Sequence, residues 1–363
     1  MKVFVLGTRG IPDIMGGVET HCQALYPRLV ELGYDVTVIR RTPYINADNK
    51  KKLYKGVQLV DLFAPKTKSL EAMVHSVLGV LYARFKSPDV LHIHAIGPSL
   101  VTPLARLLGL KVVVTHHGPD YNRQKWGKAA KTLLKLGERW GVQFANQLIV
   151  ISNEIKQLLA KLYGRTDVVL IHNGVVMPNK STETSYITTL GLEPQKYLIG
   201  VGRFVEEKGF HDLCKAWEAA KLINYQLVLA GDADHETAYS KQLKQHCKEL
   251  GIVLTGFIKG EELNQLYSHA KLFVMPSYHE GLPIALLEAM SYNLDVLVSN
   301  IPANLEVQLD NDDYFNIGDI EDLSKALILK SKSNSKRNFE EQILKKYNWD
   351  TIAEQTLQVY KTV

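Results

Sequence analysis

Ten short apolar runs punctuate the chain, each separated from the next by enough residues for a helix. In the first half they read KVFVLG, DVTVIR, DVLHIH, KVVVTHH and QLIVIS; in the second, KYLIGVGR, YQLVLAGD, IVLTGF, LFVMPS and DVLVSN. The runs are apolar almost throughout instead of alternating apolar with polar, as strands buried on both faces of a parallel sheet do. Stretches between them, such as Glu19 to Gly33, are amphipathic with a helical period. The spacing therefore predicts an α/β protein with two doubly wound parallel sheets. Its 363 residues exceed what one ordinary core organises. The polar stretch NGVVMPNKSTETSYITTLGLEP, between the two series, reads as the linker. The expected domains are 1–175 and 176–345, followed by a helix over 346–363. Ligands of open α/β sheets collect beyond the carboxyl ends of the strands, so a cleft between two such domains is the expected site.

Composition removes several classes. KVFVLG follows Met1 directly as a strand pattern with no leader signature, and no apolar run approaches the ~20 residues that span a bilayer. The longest candidate, LEAMVHSVLGVLYARF, carries Glu71, His75 and Arg84. Three cysteines, Cys22, Cys214 and Cys247, lack C-x-x-C or zinc-ligand spacing and suit a reducing, cytoplasmic setting. Residues 1–175 hold 24 Lys+Arg against 12 Asp+Glu, a net +12, while the remainder holds 19 against 26, a net −7. A basic half attracts phosphates, anionic lipid or nucleic acid. Nucleic acid is disfavoured by the acidic second half and by the lack of a recognised reading module.

The motifs follow strand ends. GTRGIPDIMGGVETH places Gly7, Gly10, Gly16 and Gly17 before a helix, where backbone N–H groups can approach a phosphate. It is neither G-x-G-x-x-G nor a P-loop, and a flexible connection is the plainer reading. GVGRFVEEKGF offers Arg203 and Lys208 on one loop, a guanidinium for bidentate grip and an ammonium beside it; the plainer reading pairs them with Glu206 and Glu207. In HEGLPIALLEAM, Pro283 suits the first turn of a helix, Glu280 lies in the turn beside the N–H groups of Gly281 and Leu282, and Glu288 lies further along. A dipole-favoured Glu and a surface Glu would look the same. GDADHE contains Asp232-x-Asp234, read as a turn. YNRQKWGKAAKTLLKLGERW interleaves Arg123, Lys125, Lys128, Lys131, Lys135 and Arg139 with Trp126, Leu133, Leu134 and Trp140. That pattern suits either an interfacial membrane face or a core helix with a solvated basic side.

Taken in order, the GGVE loop, the GVGR strand end with Lys208 and the Glu280-x7-Glu288 pattern resemble the retaining glycosyltransferases of family 4. The resemblance covers nearly the whole chain. LGTRGIPDIMGGVETH and THHGPDYNRQKW are further similar to the bacterial branch that builds surface polysaccharides, including rhamnosyltransferase-like members. It implies GT-B architecture: two Rossmann-like domains facing a cleft, the first binding the acceptor, the second the nucleotide sugar, and the last helix crossing back to the first. By the same resemblance Arg203 and Lys208 hold the donor diphosphate, Glu280 contacts the donor sugar and Glu288 the ribose. The amides of Gly16, Gly17, Gly281 and Leu282 join the donor site, and backbone groups around Ile258 in TGFIKG recognise the base. His92 and His94 share a face of their strand, and His94 matches the residue that faces the donor sugar; His117 and Asp120 fall on the acceptor side. Two histidines at neighbouring strand ends suggest a metal, but no third ligand of fixed spacing accompanies them and the family generally works without one.

The expected activity is therefore transfer of a hexose from a nucleotide diphosphate sugar to a lipid-linked glycan or polysaccharide, without cofactor or metal. UDP-sugar is favoured over dTDP-rhamnose and GDP-mannose. The expected setting is the cytoplasm, with peripheral contact to the anionic inner face of the membrane. The alternatives are a nucleotide-sugar epimerase of related fold and a nucleic-acid-binding protein.

Overall fold

Each apolar run becomes a strand. The computed structural model describes residues 1–363 other than 15, 68–69, 123–126, 234, 282 and 334–336. Two compact units divide the chain: Met1–Gly174 together with Tyr347–Val363, and Val175–Lys346.

The first unit holds β1 (Lys2–Leu6), β2 (Asp35–Arg41), β3 (Leu53–Tyr54), β4 (Val57–Leu62), β5 (Val90–His94), β6 (Val112–His116), β7 (Gln147–Val150) and β8 (Val169–Leu170). They form one eight-stranded sheet in the order β3-β4-β2-β1-β5-β6-β7-β8. All pairings are parallel except β3 with β4, a short antiparallel edge that the sequence pattern did not reveal. Every residue of β5 and β6 is buried, as strands covered on both faces require. Strand order reverses between β1 and β5, so their carboxyl ends flank the sheet's switch point.

The helix Gly17–Glu31 covers this sheet through Cys22, Leu25, Tyr26 and Leu29. The helix Trp349–Lys361 adds Trp349, Ile352, Ala353, Leu357 and Tyr360 to the same apolar cluster, and belongs to the first unit although it ends the chain. Asn348 caps it, its side-chain oxygen accepting the N–H groups of Asp350 and Thr351 at 2.8 and 3.2 Å.

The second unit holds β9 (Tyr197–Val201), β10 (Gln226–Ala230), β11 (Val253–Gly256), β12 (Leu272–Met275), β13 (Asp295–Ser299) and β14 (Tyr314–Phe315). These strands are parallel, in the order β11-β10-β9-β12-β13-β14. The switch point lies between β9 and β12. Phe204, Phe210, Leu213, Leu229, Val274 and Leu297 belong to its separate core. The stretch read as linker is not all loop. Ser185–Thr189 is a short helix, and Tyr186 N–H donates to Gln265 of the helix Glu261–His269 at 2.8 Å. Among the described residues no helix is long and apolar enough to cross a membrane.

Candidate active site

In the second unit the motifs converge at the β9–β12 switch point. Lys208 ends the 3-10 turn Glu206–Lys208, and Gly209 follows at φ 66° as the N-cap of the helix Phe210–Ala220. A Cβ on Gly209 would overlap the Pro276 carbonyl, so glycine lets this loop lie against the exit of β12. Tyr278 N–H donates to the Glu207 carbonyl at 2.8 Å and ties the two loops together. Lys208 Nζ consequently stands 2.6 Å from Glu280 Oε1, which also accepts the Ser277 hydroxyl at 2.7 Å. The side chains of Lys208 and Glu280 are only 17% and 10% exposed, so water screens this pair less than a surface one. Arg203 is half-buried, earlier on the same loop.

Pro283 is the N-cap of the helix Ile284–Ser291, not a residue of its first turn. Glu288 on that helix is half-buried and accepts the Tyr267 hydroxyl at 3.2 Å. Desolvation pushes its pKa up to about 7, with the Tyr267 bond acting against the rise. Gly281 is half-buried, and Leu282 lies outside the described residues. Ile258 follows β11, an edge strand two places from β9, so it stands on a different strand end from Lys208 and Glu280. Asp232 is committed to Lys244 at 2.6 Å and to the Ala233 N–H at 2.7 Å, the turn role expected of it; Asp234 is outside the described residues.

In the first unit the glycine loop is held from behind. Glu19 Oε1 accepts the Arg9 N–H at 2.8 Å and the Thr8 hydroxyl at 3.2 Å. Gly16 has φ 149°, and a Cβ there would overlap the Glu19 carboxylate. Gly17 then begins the helix Gly17–Glu31, with open space where a Cβ would stand. Its first N–H groups have no partners within the helix, as at any helix start.

At the carboxyl ends of β5 and β6 the structure gathers four imidazoles. His92 and His94 pack with ring centroids 4.2 Å apart, and His94 Nδ1 lies 2.9 Å from His117 Nε2. His21, from the helix Gly17–Glu31, packs 5.4 Å from the His94 ring and 5.0 Å from the His117 ring. Its Nδ1 is 2.7 Å from Asn173 Oδ1. Burial lowers all four pKa values: His21 to about 4, His92 to about 3, and His94 and His117 well below the usual range. Asn173 partly opposes the shift at His21, while neighbouring imidazoles deepen it at the other three. The rings are therefore neutral at pH 7 and carry lone pairs. Asp120 opens the 3-10 turn Asp120–Asn122 and is half-buried. Beneath it His116 Nε2 lies 2.9 Å from Glu138 Oε1, and Glu138 accepts the hydroxyls of Tyr163 at 2.6 Å and Tyr121 at 3.2 Å.

His21, Tyr26, Glu138 and Asn173 are the residues the sequence reading missed. His21 sits at the end of GGVETH, on the first helix after β1, and β1 neighbours β5 in the sheet. That adjacency is the signal that would have found it.

Two doubly wound parallel sheets of this kind are the GT-B architecture. Residues 186–346 match the family of glycosyl transferases group 1 and residues 15–177 match glycosyltransferase family 4, so the chain belongs with the glycosyltransferases that use nucleotide sugars. An uncharacterized glycosyltransferase of Methanocaldococcus jannaschii is 25% identical over 99% of this chain and 98% of its own. The O-antigen chain mannosyltransferase B of Escherichia coli is 27% identical over 46% of each chain. The Anabaena protein HepE, solved with UDP-glucose, superposes with a TM-score of 0.82 at 18% identity over 100% of both chains. These likenesses lend no support to the epimerase or the nucleic-acid reading.

Proposed function

We propose that the protein transfers a hexose from a nucleotide diphosphate sugar to a hydroxyl of a lipid-linked glycan or polysaccharide in cell-surface glycan synthesis, with retention of anomeric configuration. A UDP-sugar is the favoured donor, ahead of dTDP-rhamnose and GDP-mannose. UDP-glucose in the structurally similar Anabaena protein supports the donor, and the O-antigen mannosyltransferase supports the acceptor class.

The carrying observation is the shielded pair of Glu280 with Lys208, whose loop also bears Arg203. As the anomeric C–O bond breaks, the bond pair leaves with the diphosphate, and negative charge grows where Arg203 and Lys208 can meet it. Lys208 moving from Glu280 to phosphate frees that carboxylate to accept a sugar hydroxyl. The acceptor hydroxyl attacks the same face and passes its proton to the departing phosphate oxygen. Cationic side chains then do what a divalent ion does elsewhere, so transfer is metal-independent. Glu288 accepts the ribose diol, Gly281 and Leu282 contribute amides, and the backbone near Ile258 meets the base. In the first unit Gly16 and Gly17 offer amides to the donor phosphates, His94 orients the donor sugar, and His117 and Asp120 serve the acceptor. A peripheral membrane contact through the helix Lys128–Phe144 completes the reading.

Arg203→Ala and Lys208→Ala should each cut turnover by about two orders of magnitude or more, with UDP-sugar and acceptor assayed in the presence of EDTA. Near-normal turnover in a folded variant removes that side chain from the leaving group. Activity abolished by EDTA and restored by manganese overturns the metal-independent scheme.

A further inference from the structure

We propose that His21, His94 and His117 form a binding site for a divalent transition-metal ion with the coordination chemistry of zinc, three imidazoles with a fourth position open. One ligand nitrogen from each lies within 4.8 Å of the other two. Two nitrogens bound tetrahedrally to zinc at about 2.0–2.1 Å stand about 3.3 Å apart. The 2.9 Å between His94 Nδ1 and His117 Nε2 must therefore open by a few tenths of an ångström, and the His21 nitrogen, within 4.8 Å of the other two, must close onto the ion.

Proton bookkeeping in the surrounding shell favours the same assignment. Ligating imidazoles hold the outer N–H on an acceptor, which fixes the tautomer and turns the other lone pair to the ion. His21 donates from Nδ1 to Asn173 Oδ1, leaving Nε2. His94 Nε2 contacts the Tyr26 hydroxyl, Tyr26 is hydrogen-bonded to Tyr360, Tyr360 reaches His92 Nδ1 at 2.6 Å, and His92 Nε2 reaches Thr115 Oγ1 at 2.7 Å. If each group donates to the next, every proton from His94 to Thr115 is placed, the lone pair of His94 Nδ1 accepts the His117 Nε2–H, and the ion takes that proton's place as His117 carries its proton on Nδ1 instead. The three ligands come from the helix Gly17–Glu31 and the carboxyl ends of β5 and β6, so the ion would join these elements.

The consequence for transfer rests on the proposed function, which gives His94 to the donor sugar. Zinc on Nδ1 holds that ring away from the sugar and inhibits, without being needed for turnover. The test is titration of the chelator-stripped full-length protein with zinc chloride, followed by calorimetry and by thermal melting, with no donor or acceptor present. The expected result is one equivalent bound and a raised Tm. His21→Ala and His117→Ala should lose binding by about 100-fold or more, and Asn173→Ala or Tyr26→Phe should weaken it by about 10–100-fold. Should the histidine variants fail to fold, Asn173→Ala decides, because it keeps all three imidazoles. No saturable zinc binding by the wild type, or equal affinity in the folded His21→Ala, His117→Ala or Asn173→Ala protein, overturns the site. Zinc binding without loss of transfer leaves the site standing and removes His94 from the donor sugar instead.

Discussion

At the scale of single residues, Glu288 carries a pH dependence that the sequence could not show. A ribose diol donates two hydroxyl protons, so an ionised carboxylate accepts it better than a carboxylic acid, which must keep one proton. Burial raises the Glu288 pKa to about 7, so in the free protein the carboxyl is largely protonated at pH 6 and largely ionised at pH 8. A ligand preferring the ionised form binds more tightly as pH rises through that value. UDP affinity, measured by calorimetry, should therefore increase from pH 6 to pH 8, and Glu288→Gln should weaken binding and flatten the slope. An unchanged slope in Glu288→Gln places the titration elsewhere. HEGLPIALLEAM shows both glutamates but neither Tyr267 nor the desolvation, because these depend on what packs over the helix. Likewise Lys208 and Glu280 are each legible at a strand exit, whereas their 2.6 Å contact follows from Gly209 pressed against Pro276.

At the scale of elements, continuous apolar runs such as VFVL and VVVT declare themselves because strands buried on both faces carry few polar residues. The structure realises them as β1 and β6. VQLVDL, which became β4, alternates buried with exposed positions, and LY of β3, VL of β8 and YF of β14 are two-residue pairings that carry no periodicity at all. The helix Lys128–Phe144 shows why a pattern alone left two readings. Gly137, Glu138, Gly141 and Val142 are buried, and Cβ atoms on the two glycines would overlap Ile96 and Ser99, so one stripe is core. On one flank of it Lys128, Lys135 and Arg139 are exposed, and on the other Leu133 and Phe144 are 45% and 44% exposed. Arg123, Lys125 and Trp126 lie outside the described residues. The core reading therefore holds for one stripe, and the proposed membrane contact would use the exposed basic residues. Each base near an anionic surface contributes about 1 kcal/mol, so replacing Lys128, Lys135 and Arg139 by Gln should lower partitioning onto phosphatidylserine vesicles roughly 100-fold. Flotation at low and high salt checks this, and equal partitioning of the variant would refute the membrane face.

At the scale of the whole molecule, the end of the chain serves the unit at its beginning. Trp349, Ile352, Leu357 and Tyr360 are 5%, 1%, 6% and 0% exposed within the first unit's core. Burying each such side chain is worth about 1.5–3 kcal/mol, and four together rival the ~5–15 kcal/mol that separates a folded domain from its unfolded chain. Trp349 also covers Gly174 and packs 5.3 Å from the His21 ring, while Tyr360 supplies a hydroxyl to His92 Nδ1. The return of this helix to the first domain was implied by the family resemblance; which residues it covers was not legible, since no local pattern records a contact such as that of Trp349 with His21, over three hundred residues away. The second unit has a core of its own built from residues before 346. A chain ending at Lys346 should therefore lose the cooperative melting of the first unit and expose apolar surface there, while the second unit still binds UDP, more weakly by the loss of the Gly16 and Gly17 amides. Calorimetry with and without UDP separates the outcomes, because a ligand that binds only the native second unit raises only that unit's melting. If the shortened chain melts as the full one does, the helix covers the first unit without holding it together. If UDP binding is lost with it, the donor site does not reside in residues 175–346 alone.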